Sequence, residues 1–331
     1  RGKAPTLFIW GITMLIVQKF GGSSVADAER IRRVAGIIAD AHAHGDGPVV
    51  VLSARGDTTD TLLENAGEIT QSPQRRELDV LLSTGELGSV ALMAMQLHSM
   101  GLDCVSLSGR QAGIFTDAVH GAARILDIST DRLHRELKAG KIVLVAGFQG
   151  VNENDDVTTL GRGGSDTTAV ALADALGASR CEIYSDVDGV YTADPRLVTG
   201  AKKLDRIDYA DMLHLALGGS QVLHSRAVEA AIAGNVELTL LSSFTRRAGT
   251  VVSKFDERPP ICGVTRDKAA NKLSVVGAAV DAQTLAETVA LLADSGIVVG
   301  EGELSDGVCA VTVAPENVLP SLELIHKHFF N

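Results

Sequence analysis

Aromatic side chains are scarce in this chain: 4% of 331 residues, with one tryptophan, so Ala, Val, Leu, Ile and Gly must carry the packing. Positive charge is also short. Lys and Arg number 30 against 41 Asp and Glu, the net charge is −11, and no basic run is interleaved with aromatics. That excludes nucleic acid and an anionic membrane surface as partners and leaves any phosphate ligand to a local site. Cysteine is limited to Cys104, Cys181, Cys262 and Cys309, far apart and without C-x-x-C spacing. Neither a zinc site nor a disulfide framework follows; free buried thiols in a reducing cytosol are expected, hence a cytoplasmic protein. The apolar run from Thr6 to Val17 is too short and interrupted to cross a bilayer. No small-residue cleavage site follows it, and residues 1–13, ahead of Met14, read as a non-native or mis-started leader.

What the chain has in quantity is apolar residues, at 45%, and 34 glycines. The length fits two domains with a sizeable core. The glycines cluster most tellingly in T-T-L-G-R-G-G-S-D-T-T at 158–168, where Gly161, Gly163 and Gly164 bracket Arg162 and a helical pattern follows. Glycine lets a ligand approach the main chain, and a helix N-terminus offers free N–H groups to an anion. Ser165 or Asp166 is the expected N-cap. Arg162 is a fork that can hold a carboxylate through two parallel hydrogen bonds. By itself such a cluster also fits a capped helix after a flexible loop.

Two segments nearer the start share one grammar. L-I-V-Q-K-F-G-G-S-S (15–24) is an apolar strand ending in paired glycines before a helix with Ile31, Val34, Ile37 and Ile38 at helical spacing. It is a phosphate-cradling layout with Lys19 at its mouth, though neither a Walker loop nor a dinucleotide turn. P-V-V-V-L-S-A-R-G-D-T-T-D (48–60) repeats it, with Ser53 and Gly56 at the strand end. Two such units with a helix between them indicate a parallel sheet with ligands at the strands' carboxyl ends. Residues 73–100 read as helical with a break at S-T-G-E-L-G-S, where Glu86 is either solvated or a ligand, and 103–128 as a hairpin. I-V-L-V-A-G-F-Q-G (142–150) is another buried strand. C-E-I-Y-S-D-V-D-G-V-Y-T-A-D-P-R (181–196) is a strand emptying into an acidic turn that suits a magnesium–phosphate or merely a tight bend. Helices are expected at 208–217 and 222–234, then the strand V-E-L-T-L-L. A linker at 254–260 is followed by a β-α-β-β-α module of about 70 residues.

With these segments in hand, the chain resembles the aspartate kinases of the amino-acid kinase superfamily from Met14 to about Val252. Q-K-F-G-G-S-S-V, G-F-Q-G-V-N, T-T-L-G-R-G-G-S-D-T-T-A and Y-S-D-V-D-G-V-Y-T-A-D-P-R stand in the family's order and spacing. The resemblance implies a three-layer α/β sandwich with a mainly parallel central sheet over 14–253, and a single small α+β ACT-like domain over 261–331. It implies ATP-dependent phosphorylation of the L-aspartate side chain to 4-phospho-L-aspartate, with Mg²⁺ beside ATP, in lysine, threonine and methionine biosynthesis. Lys19 would contact the transferred phosphoryl group, with Gly21, Gly22 and Ser23 around the same phosphate. Asp166 would orient Lys19, and both would be catalytic. Ser53, Thr59, Glu86, Arg162, Gly164 and Asp166 would line the amino-acid site, Glu86 meeting its ammonium and Arg162 its α-carboxylate. Ser185, Asp186, Tyr191, Arg196 and Gln221 would face the nucleotide, and no residue serves as a dedicated metal ligand. Chemically this is coherent, because a carboxylate is already a nucleophile and the enzyme need only position two anions and screen them.

Alternatives remain in the same fold: glutamate, N-acetylglutamate, carbamate or uridylate kinases. Glu86 argues against an acylated amine, which carries no charge for it to meet. A subunit that senses nucleotide or amino acid without turnover is the reading from another class, but Lys19, Asp166 and the glycine loops are all present. The chain departs from its relatives at Gln221, where a lysine is common, at Ser225, at Arg55, where methionine is usual, and at Leu87, where a longer polar residue is common. Relatives usually end in two ACT modules that bind lysine or threonine and pair subunits, whereas 261–331 reads as one. Its first loop, G-A-A-V-D-A-Q, lacks the Pro-Gly turn that presents backbone to an effector, and Asp281 there would cap the next helix and repel a carboxylate. Homodimerisation through this domain is therefore expected to outlast feedback inhibition.

Overall fold

The computed structural model describes residues 13–245 and 247–330; all but the last residue of the expected leader lies outside them. The first elements are β1 (Leu15–Phe20), a 3₁₀ turn (Gly22–Val25), α1 (Ala28–Ala43), β2 (Gly47–Leu52), α2 (Thr58–Ile69) and α3 (Arg75–Ser99). Then come β3 (Cys104–Leu107), β4 (Ile114–Thr116), β5 (Ile125–Ile128), α4 (Asp131–Lys138), β6 (Ile142–Ala146), β7 (Gln149–Val151) and β8 (Val157–Thr159). The middle of the chain holds α5 (Gly164–Leu176), β9 (Arg180–Ser185), β10 (Arg206–Asp208), α6 (Tyr209–Leu217), α7 (Ser225–Gly234), β11 (Leu238–Ser242) and β12 (Thr250–Ser253). The end is β13 (Gly263–Asp267), β14 (Lys272–Val276), α8 (Ala282–Asp294), β15 (Val299–Ser305), β16 (Val308–Val313) and α9 (Val318–Phe330).

The chain divides into two compact units. The first runs up to Val187 and takes back Ala230–Arg247; the second is Asp188–Glu229 with the residues from Ala248 onward. In the first, parallel strands stand in the order β11, β9, β1, β2, β6, β3. β2 is GPVVVL and β6 is IVLVA, buried along their whole length, as strands covered on both faces must be. Side chains alternate between the faces. Phe20, Val50, Leu52, Ile142, Leu144 and Ala146 pack with Ile31, Val34 and Ile38 of α1 and Val90, Met93 and Leu97 of α3. Lys19 and Val51 point to the other face, where α5 lies. The result is helix, sheet, helix: the three-layer α/β sandwich.

Three local expectations change. The break in 73–100 does not occur: α3 is continuous, because Gly85 is where the helix meets the 53–57 loop, and a Cβ there would stand 2.8 Å from Ala54 Cβ. The hairpin at 103–128 is only β4 with β5, since β3 joins the parallel sheet beside β6. Between the paired glycines and α1 the chain makes a short 3₁₀ turn that buries Ser24 and Val25, and Asp27 then caps α1 through Arg30 N at 2.9 Å.

The second unit contains an antiparallel sheet in the order β13, β14, β16, β15, with Val264, Leu273, Val275, Cys309 and Val311 in one hydrophobic cluster with Leu292, Leu322 and Ile325. The order is β-β-α-β-β-α, one strand more than the pattern predicts, because β13 adds itself antiparallel to β14. Asp281 caps α8 in a capping box with Thr284. Residues 254–260 form no helix or strand, yet they are pinned. Arg258 forks onto buried Asp211 of α6, and Phe255 N donates to Asp208 at 2.9 Å.

Candidate active site

The carboxyl ends of β1, β2, β6 and β9 gather the first unit's chemistry. Lys19, next to last in β1, is 9% exposed. Its Nζ lies 2.5 Å from Oδ1 of Asp166 in the first turn of α5, and that oxygen has no hydrogen-bond donor besides. A pair this enclosed attracts far more strongly than one in water.

The next residues let backbone come close. A Cβ on Gly21 would sit 3.5 Å from Lys19 Nζ, and one on Gly22 would meet the Ala54 carbonyl at 2.6 Å. Gly22 O accepts from Gly56 N at 3.0 Å, and Gly21 N donates to Tyr184 O at 3.1 Å. Gly22 and Ser23 begin the 3₁₀ turn, so their N–H groups have no partner within it. Arg55, the residue unusual for its position, ties the same two loops by donating to Val25 O at 3.2 Å and Ala26 O at 3.0 Å.

Behind this turn lies Glu86. It is 3% exposed on α3, its Oε1 accepts from Ala54 N at 3.1 Å, and its Oε2 is buried with no partner. Burial raises its pKa to about 7. A buried carboxylate oxygen without a partner is rare, and this one is Glu86 Oε2. Ser53 follows β2, its N–H bonded to Phe20 O at 3.1 Å, and Thr59 is in the first turn of α2.

The glycine loop is held from beneath. Asp79, buried in α3, accepts from Thr159 N at 3.0 Å and Thr159 Oγ1 at 2.6 Å, and from His120 Nδ1 and Gly121 N at 2.9 and 3.1 Å. Gly161 and Gly163 take φ of +77° and +68°, and Gly164 N closes on Gly161 O at 2.9 Å. The N-cap of α5 is Gly163, with no side-chain cap bond. The expectation that Ser165 or Asp166 caps the helix is therefore corrected: both lie inside it, which turns Asp166 inward to Lys19. Gly164 is glycine for want of space, since a Cβ would stand 2.8 Å from the Phe148 ring. Arg162 is exposed and makes no ion pair or hydrogen bond among the described residues.

The expected nucleotide residues are divided between the units. Ser185 ends β9, and Asp186 beside it is exposed, its carboxylate bonded to nothing among the described residues. Pattern reading missed Ser243. Its N–H donates to Ser185 O at 3.0 Å and its hydroxyl to Ser24 Oγ at 2.7 Å, joining the ends of β11, β9 and β1. Its place just after an apolar strand was the available signal. In the second unit, Tyr191 Oη donates to Asp188 at 2.7 Å, Arg196 forks onto Asp194 at 3.0 and 2.9 Å, and Gln221 is exposed between α6 and α7.

The amino acid kinase family model matches residues 14–242. Aspartokinase of Mycobacterium tuberculosis is 52% identical over 269 residues, 80% of this chain and 64% of that protein. This chain thus spans a little under two thirds of that relative. Aspartokinase of Corynebacterium efficiens is 47% identical over 326 residues, 95% of this chain and 77% of that one. Among solved structures, E. coli aspartokinase III with aspartate and ADP superposes with a TM-score of 0.81 over 96% of this chain and all of that one. At 22% identity that likeness speaks for the fold alone. With the family model spanning most of the chain and the near relatives agreeing, the chain belongs to the amino acid kinase family, among its aspartokinases.

Proposed function

We propose that this chain phosphorylates the side-chain carboxylate of L-aspartate with ATP. The observation that carries the reading is Glu86: a buried carboxylate oxygen without a partner, placed against the loop that touches Gly22. It suits a substrate ammonium, which N-acetylglutamate, carbamate and uridylate lack. Arg162, uncommitted and flanked by two left-handed glycines, is available for the α-carboxylate. The relatives' name supplies aspartate as the amino acid.

In this reading the aspartate side-chain oxygen attacks the γ-phosphorus, a P–O bond forms as the β,γ-bridging bond breaks, and ADP leaves with the electron pair. No general base is needed. Lys19, held by Asp166, and the N–H groups of Gly22 and Ser23 screen the charge that shifts onto the phosphate oxygens. Gly21 keeps side-chain bulk off Lys19, and Ser53, Thr59 and Gly164 shape the acceptor side. The nucleotide roles expected of Ser185, Asp186, Tyr191, Arg196 and Gln221 belong to the same proposal. Mg²⁺ suits Asp186, a free hard carboxylate, and when bound would neutralise phosphate charge. Cys104, Cys181, Cys262 and Cys309 are free and buried, which fits a reducing cytosol. Pairing of two copies through the antiparallel sheet of the second unit belongs to the same proposal, with β15 as its edge strand.

The assignment of roles is tested with Arg162→Ala. The KM for aspartate should rise about 30-fold or more, as expected when a carboxylate loses its charged partner, while that for ATP stays within about twofold. Equal rises in both would contradict it.

A further inference from the structure

The segment carrying Tyr191 and Arg196 is built into the core of the C-terminal module. Ala193 and Val198 are buried in the same cluster as Val264, Leu273, Leu322 and Ile325, with Leu197 and Ala201 packed against it. Thr192 is its junction. Its N–H donates to Lys202 O at 2.9 Å, and its carbonyl accepts from Val264 N of β13 at 2.7 Å. Its hydroxyl accepts from Lys202 N at 2.9 Å and shares a hydrogen bond of 2.8 Å with His326 Nε2 on α9, 134 residues away. His326 is 1% exposed and stacks on Phe330, the ring centroids 4.8 Å apart. Lys202 Nζ closes the arrangement on Phe330 O at 2.9 Å. Burial, and to a lesser degree Lys202, hold the imidazole below its ordinary pKa, so it stays neutral beside the hydroxyl.

Nothing in phosphoryl transfer uses this buried imidazole, and its partner hydroxyl sits directly after Tyr191. We propose that His326 is a positioning residue for the nucleotide: through Thr192 it fixes the turn that presents Tyr191 and Arg196. The C-terminal module then serves ATP binding whether or not it senses an effector. The inference rests on the reading of 191–196 as nucleotide-binding.

The test uses the full chain, Mg²⁺ and mant-ATP, with Kd read by fluorescence and KM for aspartate alongside. Thr192→Val keeps the shape and removes the hydroxyl, and His326→Phe keeps the stacked ring and removes Nε2. Each should weaken mant-ATP binding by about fivefold or more, the size expected for one buried hydrogen bond, and leave the aspartate KM within about twofold. Thr192→Ser and His326→Gln, which keep a polar group within reach, should bind within about twofold of the parent protein. Folded Thr192→Val and His326→Phe proteins with unchanged mant-ATP affinity, or with an equal loss for aspartate, would overturn the proposal. Should both fail to fold, hydrogen exchange on the unmodified chain decides. Mg²⁺-ATP should slow exchange at 190–198 and in α9 together, and protection absent from α9 overturns the link. Failure of the unmodified chain to bind mant-ATP would instead strike the proposed function itself.

Discussion

Lys19 Nζ and Asp166 Oδ1 meet at 2.5 Å, their side chains 11% and 14% exposed. One comes from the end of a central strand and the other from the first turn of the helix packed on it. Because the pair is enclosed, its two members can be separated by experiment. Asp166→Asn should destabilise the protein by about 3–5 kcal/mol and lower kcat, since it strands a buried ammonium. Lys19→Met should lower kcat about a hundredfold or more, the scale of losing one electrostatic stabiliser. The double variant Lys19→Met/Asp166→Leu should recover stability and no activity. Thermal melts and steady-state rates on the three proteins check this; restored activity in the double variant would remove Lys19 from catalysis.

Glu86 gives the pH dependence. Its pKa is about 7 in the fold against an ordinary 4.5, so the unliganded native state holds this proton more tightly than the unfolded chain. Stability from this group is therefore full below about pH 4.5 and lost as pH rises through 7, by about 3 kcal/mol in all. Glu86→Gln should abolish that fall. Binding runs the other way: the ammonium needs the ionised carboxylate, so the aspartate KM should rise about tenfold per unit below pH 7. A KM flat from pH 5.5 to 8 would exclude Glu86 from the amino-acid site.

How much of this was visible in sequence depends on distance along the chain. The strands ending at Phe20 and Leu52 and the helix behind Gly164 announce themselves, because each is a local apolar run with glycine close to its end. What could not be read is set by partners far away. Gly85 looks like a helix break until its contact with Ala54 is known. Ser165 and Asp166 look like caps until Gly163 is seen in the left-handed region. Ser243 reaches Ser24 across 219 residues and Asp79 reaches Thr159 across 80, separations that no periodicity encodes. The grouping of Asp188–Glu229 with the C-terminal residues likewise follows from packing, with Ala193 and Val198 in the same cluster as Leu322.

Regulation is predicted to be weak. An effector inhibits only by binding one conformation better than another. At the start of α8 the Asp281 carboxylate accepts from Thr284 N at 2.9 Å, so one N–H group that an effector carboxylate would need is already used. Its hydrogen bonds to Thr284 hold its pKa below the usual carboxylate value, so it stays ionised and repels an effector carboxylate. Lysine and threonine, alone or together at millimolar levels, should change the rate at sub-saturating aspartate by less than about twofold. Sigmoidal inhibition by either would show that the module senses.

The most direct test of the central claim is ADP release by the purified chain with Mg²⁺-ATP and each candidate acceptor in turn, the acyl phosphate trapped with hydroxylamine. L-Aspartate should support turnover and yield a hydroxamate. N-Acetylglutamate, carbamate and uridylate should give rates at least about a hundredfold lower, as expected when a buried carboxylate is left unpaired. Glutamate, which keeps both charges but is one methylene longer, should give a rate about tenfold lower or more. Turnover with N-acetylglutamate or uridylate in place of aspartate, or tight ATP binding with no transfer to any acceptor, would contradict the account.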